Sequence, residues 1–165
     1  VKAHPKETAL REYLVSSYLK TGEDDQAIRQ MEAILTEKPL GVDPLLLDIF
    51  ESLRAKGAYE KIVRIMKKAV KAYPRTATFR EYLVLACLKT GKDAQAMEQM
   101  EEILKMRPND LNLWLDLATL REKNSDIPGA VKAYKRVLEI SPEHTDASEA
   151  YLRLRLKGVG GSDEE

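Results

Sequence analysis

Apolar residues recur along this chain at three- and four-residue steps. Leu10, Leu14 and Tyr18 form one stripe, and Ala27, Met31, Ile34 and Leu35 form the next. Residues three or four apart share one face of a helix, so the spacing predicts amphipathic helices, and strand-type alternation is weak throughout. The stripes are punctuated on a fixed beat. Pro39, Pro74, Pro108 and Pro142 lie 35, 34 and 34 residues apart, Pro5 lies 34 before the first, and Gly22, Gly57, Gly91 and Ser125 keep the same interval upstream of them. A proline has no amide donor and disfavours helix in the residue before it, so each one ends a helix. Every unit therefore reads as helix A, a turn at Gly or Ser, helix B, and a stop at Pro. The chain is predicted to be all-α, a solenoid of antiparallel helix hairpins.

Start signals agree with that reading. Asp43 before Pro44, Asp110 before the helix that holds Trp114, and Asp126 before Pro128 each have the character of a helix N-cap. The units fall at 8–42, 43–76, 77–110 and 111–144. Residues 1–7 read as the end of a preceding repeat, 145–157 as a capping helix with Ala147, Ala150, Tyr151 and Leu154 on one face, and 158–165 as a flexible acidic tail. A longer period overlies the shorter one. Residues 1–39 and 70–108 share 22 identities in 39 positions, including Arg-Glu-Tyr-Leu-Val at both 11–15 and 80–84. The opening Val1-Lys2-Ala3-His4-Pro5 matches Val70-Lys71-Ala72-Tyr73-Pro74, the end of a helix B, so the array is expected to continue upstream.

These landmarks resemble the tetratricopeptide repeat, antiparallel helix pairs of about 34 residues that stack into a right-handed superhelix. Unit four carries the pattern best, in Trp114, Leu117, Ala118, Ala130, Tyr134 and Pro142. Unit one gives Leu14, Tyr18, Gly22, Ala27 and Pro39; unit two gives Ile49, Gly57, Ala69 and Pro74; unit three gives Leu83, Gly91, Ala96 and Pro108. There are departures. Arg11, Leu46 and Arg80 stand where the family has its first large aromatic, while Val15, Phe50 and Val84 fill the small slot that lets helices A and B approach. With Ile62 in place of Ala as well, hairpin 43–76 is expected to be splayed wider or to slip in register. The half-a-TPR repeats of RNA-processing scaffolds resemble parts of the chain, notably Phe50-Glu51 and Trp114-Leu115, and supply the structural alternative.

Composition narrows the function. With 27 basic against 27 acidic residues, the chain lacks the net positive charge that a nucleic-acid duplex or an anionic membrane surface recruits, so neither is expected as direct partner. No apolar run approaches the roughly 20 residues needed to span a bilayer. The compartment is left open. Cys87, the single cysteine, and the two histidines, His4 and His144, have no partners at catalytic or metal-ligand spacing. Cys87 is expected in the core and the histidines at turns. Met31, Met66 and Met100 share one helix B slot with Tyr134, which marks them as core rather than a soft-metal series. No catalytic residue, no metal and no cofactor is expected.

What such an array offers is surface. The resemblance implies that the A helices line a concave groove, floored by Glu12, Ser16 and Leu19, then Leu47, Glu51 and Arg54, then Glu81, Leu85 and Leu88, then Leu115, Thr119 and Glu122, with Glu149 and Arg153 as possible additions. Leu47, Leu85, Leu88 and Leu115 make an apolar strip, and Glu12, Glu51, Glu81 and Glu122 border it. That chemistry fits a protein partner offering an extended peptide or helix with apolar anchors and Lys or Arg. Tetratricopeptide domains that hold chaperone C-terminal carboxylates use Lys, Asn and Arg, and here acids stand in those slots, so that partner is not expected. An interaction scaffold is the expected function. Self-assembly of a longer array, or a half-a-TPR role in an RNA-processing complex, are the alternatives.

Overall fold

The structure, a computed structural model, describes residues 5–37 and 41–159. All the elements among these residues are helical: α1 (Pro5–Thr21), α2 (Asp24–Glu37), α3 (Asp43–Ala55), α4 (Tyr59–Ala72), α5 (Ala77–Lys89), α6 (Asp93–Met106), α7 (Leu111–Lys123), α8 (Ile127–Ile140) and α9 (Thr145–Val159). The helix ends follow the punctuation. α4, α6 and α8 each stop two residues before Pro74, Pro108 and Pro142, while Pro39 lies outside the described residues. The tight turns need a left-handed residue, and Gly22, Gly57 and Gly91 supply it at φ 80°, 67° and 69°. Ser125 takes the equivalent place at φ 62°, so the fourth turn accepts the backbone strain that the glycines avoid.

The caps differ in one respect from the sequence reading. Asp110 and Asp126 are N-caps whose carboxylates accept from the amides of Leu113 and Gly129. Asp43, however, is already inside α3. Val42 precedes it with helical dihedrals and no side-chain cap, because Pro44 sets the start of that helix and its missing amide needs no acceptor. α1 likewise begins at Pro5, within the stretch read as a preceding repeat, and His4 lies outside the described residues.

Two compact units emerge, Val1–Lys92 and Asp93–Glu165. In the first, α1 packs closely on α2 and α4 on α5, whereas α3 and α4 touch along less of their length. Phe50 and Ile62, the bulky residues of that hairpin, are both buried. α4 closes instead on α5, where Ala69 and Ala86 are both fully buried. In the second unit α7 and α8 pack closely through Ala118, Ala130 and Ala133, and α9 closes the cluster with Ala147, Ala150 and Leu154. Met31, Met66, Met100 and Tyr134 are all buried, as the shared slot requires.

Charged side chains tie neighbouring hairpins at the repeat interval. Lys56 reaches back to Asp24 and Lys92 to Glu60, each across 32 residues. In the second unit Lys123 reaches Asp93 across 30, with Asn124 sharing the same carboxylate. Along α2 and α4, Lys61 holds Asp25 at 3.0 Å, and Arg64 and Lys68 both hold Glu32 at 2.8 and 3.0 Å. The bond from Lys61 holds the Asp25 carboxyl below the usual aspartate pKa, and those from Lys123 and Asn124 do the same for Asp93. Burial raises the Glu32 carboxyl, but the bonds from Arg64 and Lys68 outweigh it and the net shift is downward.

Two predictions come from this packing. Phe79→Ala removes a fully buried ring from α5 and should cost about 3–5 kcal/mol in urea unfolding, while Leu10→Ala, at the duplicated slot on the exposed side of α1, should stay within about 0.5 kcal/mol. Depressed carboxyl values mean that the unfolded chain binds more protons in acid, so the ion-pair stabilisation is present above the usual carboxylate range and is lost as pH falls through the folded values. The melting temperature should therefore hold level from neutral pH down to about pH 5 and fall below about pH 4. Asp116, raised by burial and by Asp110, acts in the opposite sense. Asp25→Asn, Glu32→Gln and Asp93→Asn together should flatten the acid limb in a pH series of thermal melts.

Candidate functional site

Three of the four A helices, α1, α3 and α5, belong to the first unit and place nine of the twelve groove residues there. Each of these helices buries one stripe, Val15 on α1, Leu46, Ile49 and Leu53 on α3, and Phe79, Leu83 and Val84 on α5. Helical periodicity then turns other residues outward. Leu47, Leu85 and Leu88 are exposed leucines, while Glu12, Ser16, Leu19 and Glu81 are half-buried.

Two clefts flank α3. The first, about 400 Å³, lies between α1 and α3 and brings Glu12 and Ser16 together with Tyr13, Pro44, Leu45 and Asp48. The second, also about 400 Å³, lies between α3 and α5 and is lined by Asp43, Pro44, Leu47, Thr76, Phe79 and Tyr82. Tyr82 is fixed there by stacking on Phe50, with ring centroids 4.1 Å apart and planes at 15°. Burial pushes the Tyr82 phenol above its usual pKa, and the carboxylates of Glu51, Glu81 and Asp43 push it further. A group between α3 and α5 therefore experiences a negative field.

Not every predicted acid stands alone. Glu51 accepts from Arg54 on its own helix at 2.6 Å, so that pair sits within the face instead of waiting for a ligand. In the second unit Leu115 is half-buried and Thr119 donates to its own helix at the Leu115 carbonyl. Glu122 is engaged from two sides, by Arg153 of α9 at 2.6 Å and by the Tyr134 hydroxyl at 3.2 Å. Burial raises the Tyr134 phenol, and the neighbouring Glu122 adds to the rise. Arg153, named as a possible groove residue, is thus the partner of another one, and Glu149 is exposed on α9.

Sequence reasoning did not name Tyr13, Asp43, Asp48 or Tyr82 as cleft residues. A signal for two of them was present, since Tyr13 and Tyr82 are the same position of the duplicated Arg-Glu-Tyr-Leu-Val block. The remaining candidates behave as structural parts. Cys87 is buried in α5, and His144 accepts from the Ala147 amide through Nδ1 at 3.3 Å, an N-cap to α9. Among the described residues no cluster of His, Cys, Asp or Glu is arranged to hold a metal. No described helix is long and apolar enough to cross a membrane.

Residues 47–111 match the family model described as tetratricopeptide repeat, and the elements of the described residues are all helical. Among solved structures, the fold is shared with a crystal structure of the MamA protein, 19% identical with a TM-score of 0.60 over 97% of this chain and 86% of that one. A second MamA crystal structure is 18% identical, TM-score 0.59, covering 89% of this chain and 85% of that one. A third, labelled MamA AMB-1, is 16% identical, TM-score 0.61, covering 94% and 84%. No curated protein sequence matches the chain.

The acidic field has a spectroscopic test. In an alkaline titration followed by phenolate absorbance, Tyr73, Tyr82 and Tyr134 should ionise later than the other tyrosines. Tyr82→Phe should shrink that late component, and Glu51→Gln should bring part of it down. A titration unchanged by both would place Tyr82 outside the acidic cleft.

Proposed function

We propose that the chain is a non-catalytic scaffold that holds a basic-apolar segment of a protein partner against α1, α3 and α5. The observation that carries this reading is the pair of clefts flanking α3, each combining an aromatic or leucine wall with at least one carboxylate. A partner leucine entering beside Leu47 would be drawn from water onto apolar surface. A neighbouring Arg or Lys would lie over Tyr13 or Tyr82 within reach of Asp48, Glu12 or Asp43, where the aromatic face and the carboxylates favour the same charge. Glu81 and the Glu51–Arg54 pair extend the acidic border along the exposed Leu85 and Leu88.

The opposite helices offer no such field. Arg64 and Lys68 of α4 are already tied to Glu32 of α2, and Lys61 to Asp25, so much of the basic charge there is neutralised inside the protein. An acid-terminated partner has no cationic clamp on the A helices, since Glu12, Leu47, Glu51 and Glu81 occupy those positions. A partner bearing positive charge and short apolar side chains is the one that the face accommodates.

The test is fluorescence anisotropy with a labelled peptide of alternating Leu and Arg and its counterpart with Glu in place of Arg. The Arg peptide should bind, more weakly as salt rises, and the Glu peptide should not. Glu51→Lys with Glu81→Lys should weaken the Arg peptide by about tenfold or more, which corresponds to about 1.4 kcal/mol. Equal binding of the two peptides, or indifference to the double reversal, would overturn the reading.

A further inference from the structure

The cleft between α3 and α5 is enclosed by both helices and is lined by groups of three kinds. Leu47 and Phe79 make apolar walls, Tyr82 supplies an aromatic ring, and Asp43, Thr76 and Thr78 supply oxygen atoms. Those oxygens are uncommitted. Thr76 stands at the N-cap position of α5 without a side-chain capping bond, and among the described residues neither Thr78 nor Asp43 has a side-chain hydrogen bond or an ion pair. Glu51, further along α3, is already held by Arg54, so Asp43 is the carboxylate that the cleft offers to a ligand.

The ring is held in place before any ligand arrives. Phe50, itself buried, covers one face of Tyr82 with centroids 4.1 Å apart and planes at 15°. The half-buried Tyr82 therefore meets a ligand in the cleft with the surface that Phe50 leaves free. Phe79 is fixed in the same way, edge-on to Tyr73 at 6.0 Å. A flat group laid on so rigid a wall costs little further ordering on the protein side.

Every polar group of this lining can accept a hydrogen bond, and an ionised carboxylate can only accept. The complementary ligand group is thus flat, cationic and rich in donors. A guanidinium has five N–H donors in one plane, stacks on aromatic faces, and is more weakly hydrated than an ammonium. An ammonium is a compact, strongly hydrated charge with no flat face to lay on a ring, and bringing it between apolar walls costs more. We propose that the α3–α5 cleft is an arginine pocket, which takes a guanidinium of the partner in preference to an ammonium. The guanidinium stacks on Tyr82, Asp43 accepts from its edge, and Thr76 and Thr78 offer the further acceptors.

This selectivity rests on the groove reading, and two peptides of equal charge separate one from the other. Fluorescence anisotropy compares a labelled peptide of alternating Leu and Arg with one of alternating Leu and Lys, at the same length and ionic strength. The Lys peptide should bind about tenfold more weakly, the scale of one cation–π contact. Asp43→Asn and Tyr82→Leu should each weaken the Arg peptide more than the Lys peptide and bring the two toward equality. Tyr82→Phe, which keeps a ring of the same shape, should retain the preference that Tyr82→Leu loses. Thermal melts by circular dichroism check the fold; where Tyr82→Leu lowers it, Thr76→Val with Thr78→Val leaves both rings in place and should narrow the preference by itself. Equal affinity for the two peptides overturns the arginine pocket and leaves the groove reading standing, whereas no binding of either overturns both. A preference undiminished by Asp43→Asn also overturns the pocket.

Discussion

A helix in this chain buries its apolar face only against the helices beside it. Among the described residues there is no sheet to pack on, so each hairpin is stable because a neighbour covers it, and how closely two helices approach depends on the side chains at their crossing. Where Ala118, Ala130 and Ala133 meet, α7 and α8 close tightly. α3 and α4, with Phe50 and Ile62 buried, touch along less of their length than α4 and α5 do. The two clefts that flank α3 lie on its other sides, toward α1 and toward α5.

The architecture was legible in the sequence because it is written in local chemistry. Proline stops, left-handed turn residues and the caps at Asp110 and Asp126 each act within a few residues, and the methionine slot repeats at the interval of the fold. What sequence did not yield lies at longer range. The pairs Lys56–Asp24 and Lys92–Glu60 join residues 32 apart, and no helical periodicity links their positions. The same holds for the site. Leu47, Leu85 and Leu88 could be read as outward-facing from periodicity alone, but whether an outward acid already has a partner depends on the next helix, as Arg153 on Glu122 shows. Val42 at the start of α3 was missed for a different reason, since Pro44 starts that helix without a side-chain capping hydrogen bond.

The neutral net charge conceals a division of labour. On α2 and α4 opposite charges meet in pairs, where burial of Glu32 is offset by Arg64 and Lys68. Beside Tyr82, burial raises the phenol first, and the carboxylates of Glu51, Glu81 and Asp43 on α3 and α5 add to the rise. A whole-chain balance of 27 against 27 therefore excludes partners that need a net positive surface without describing the face that a partner would meet.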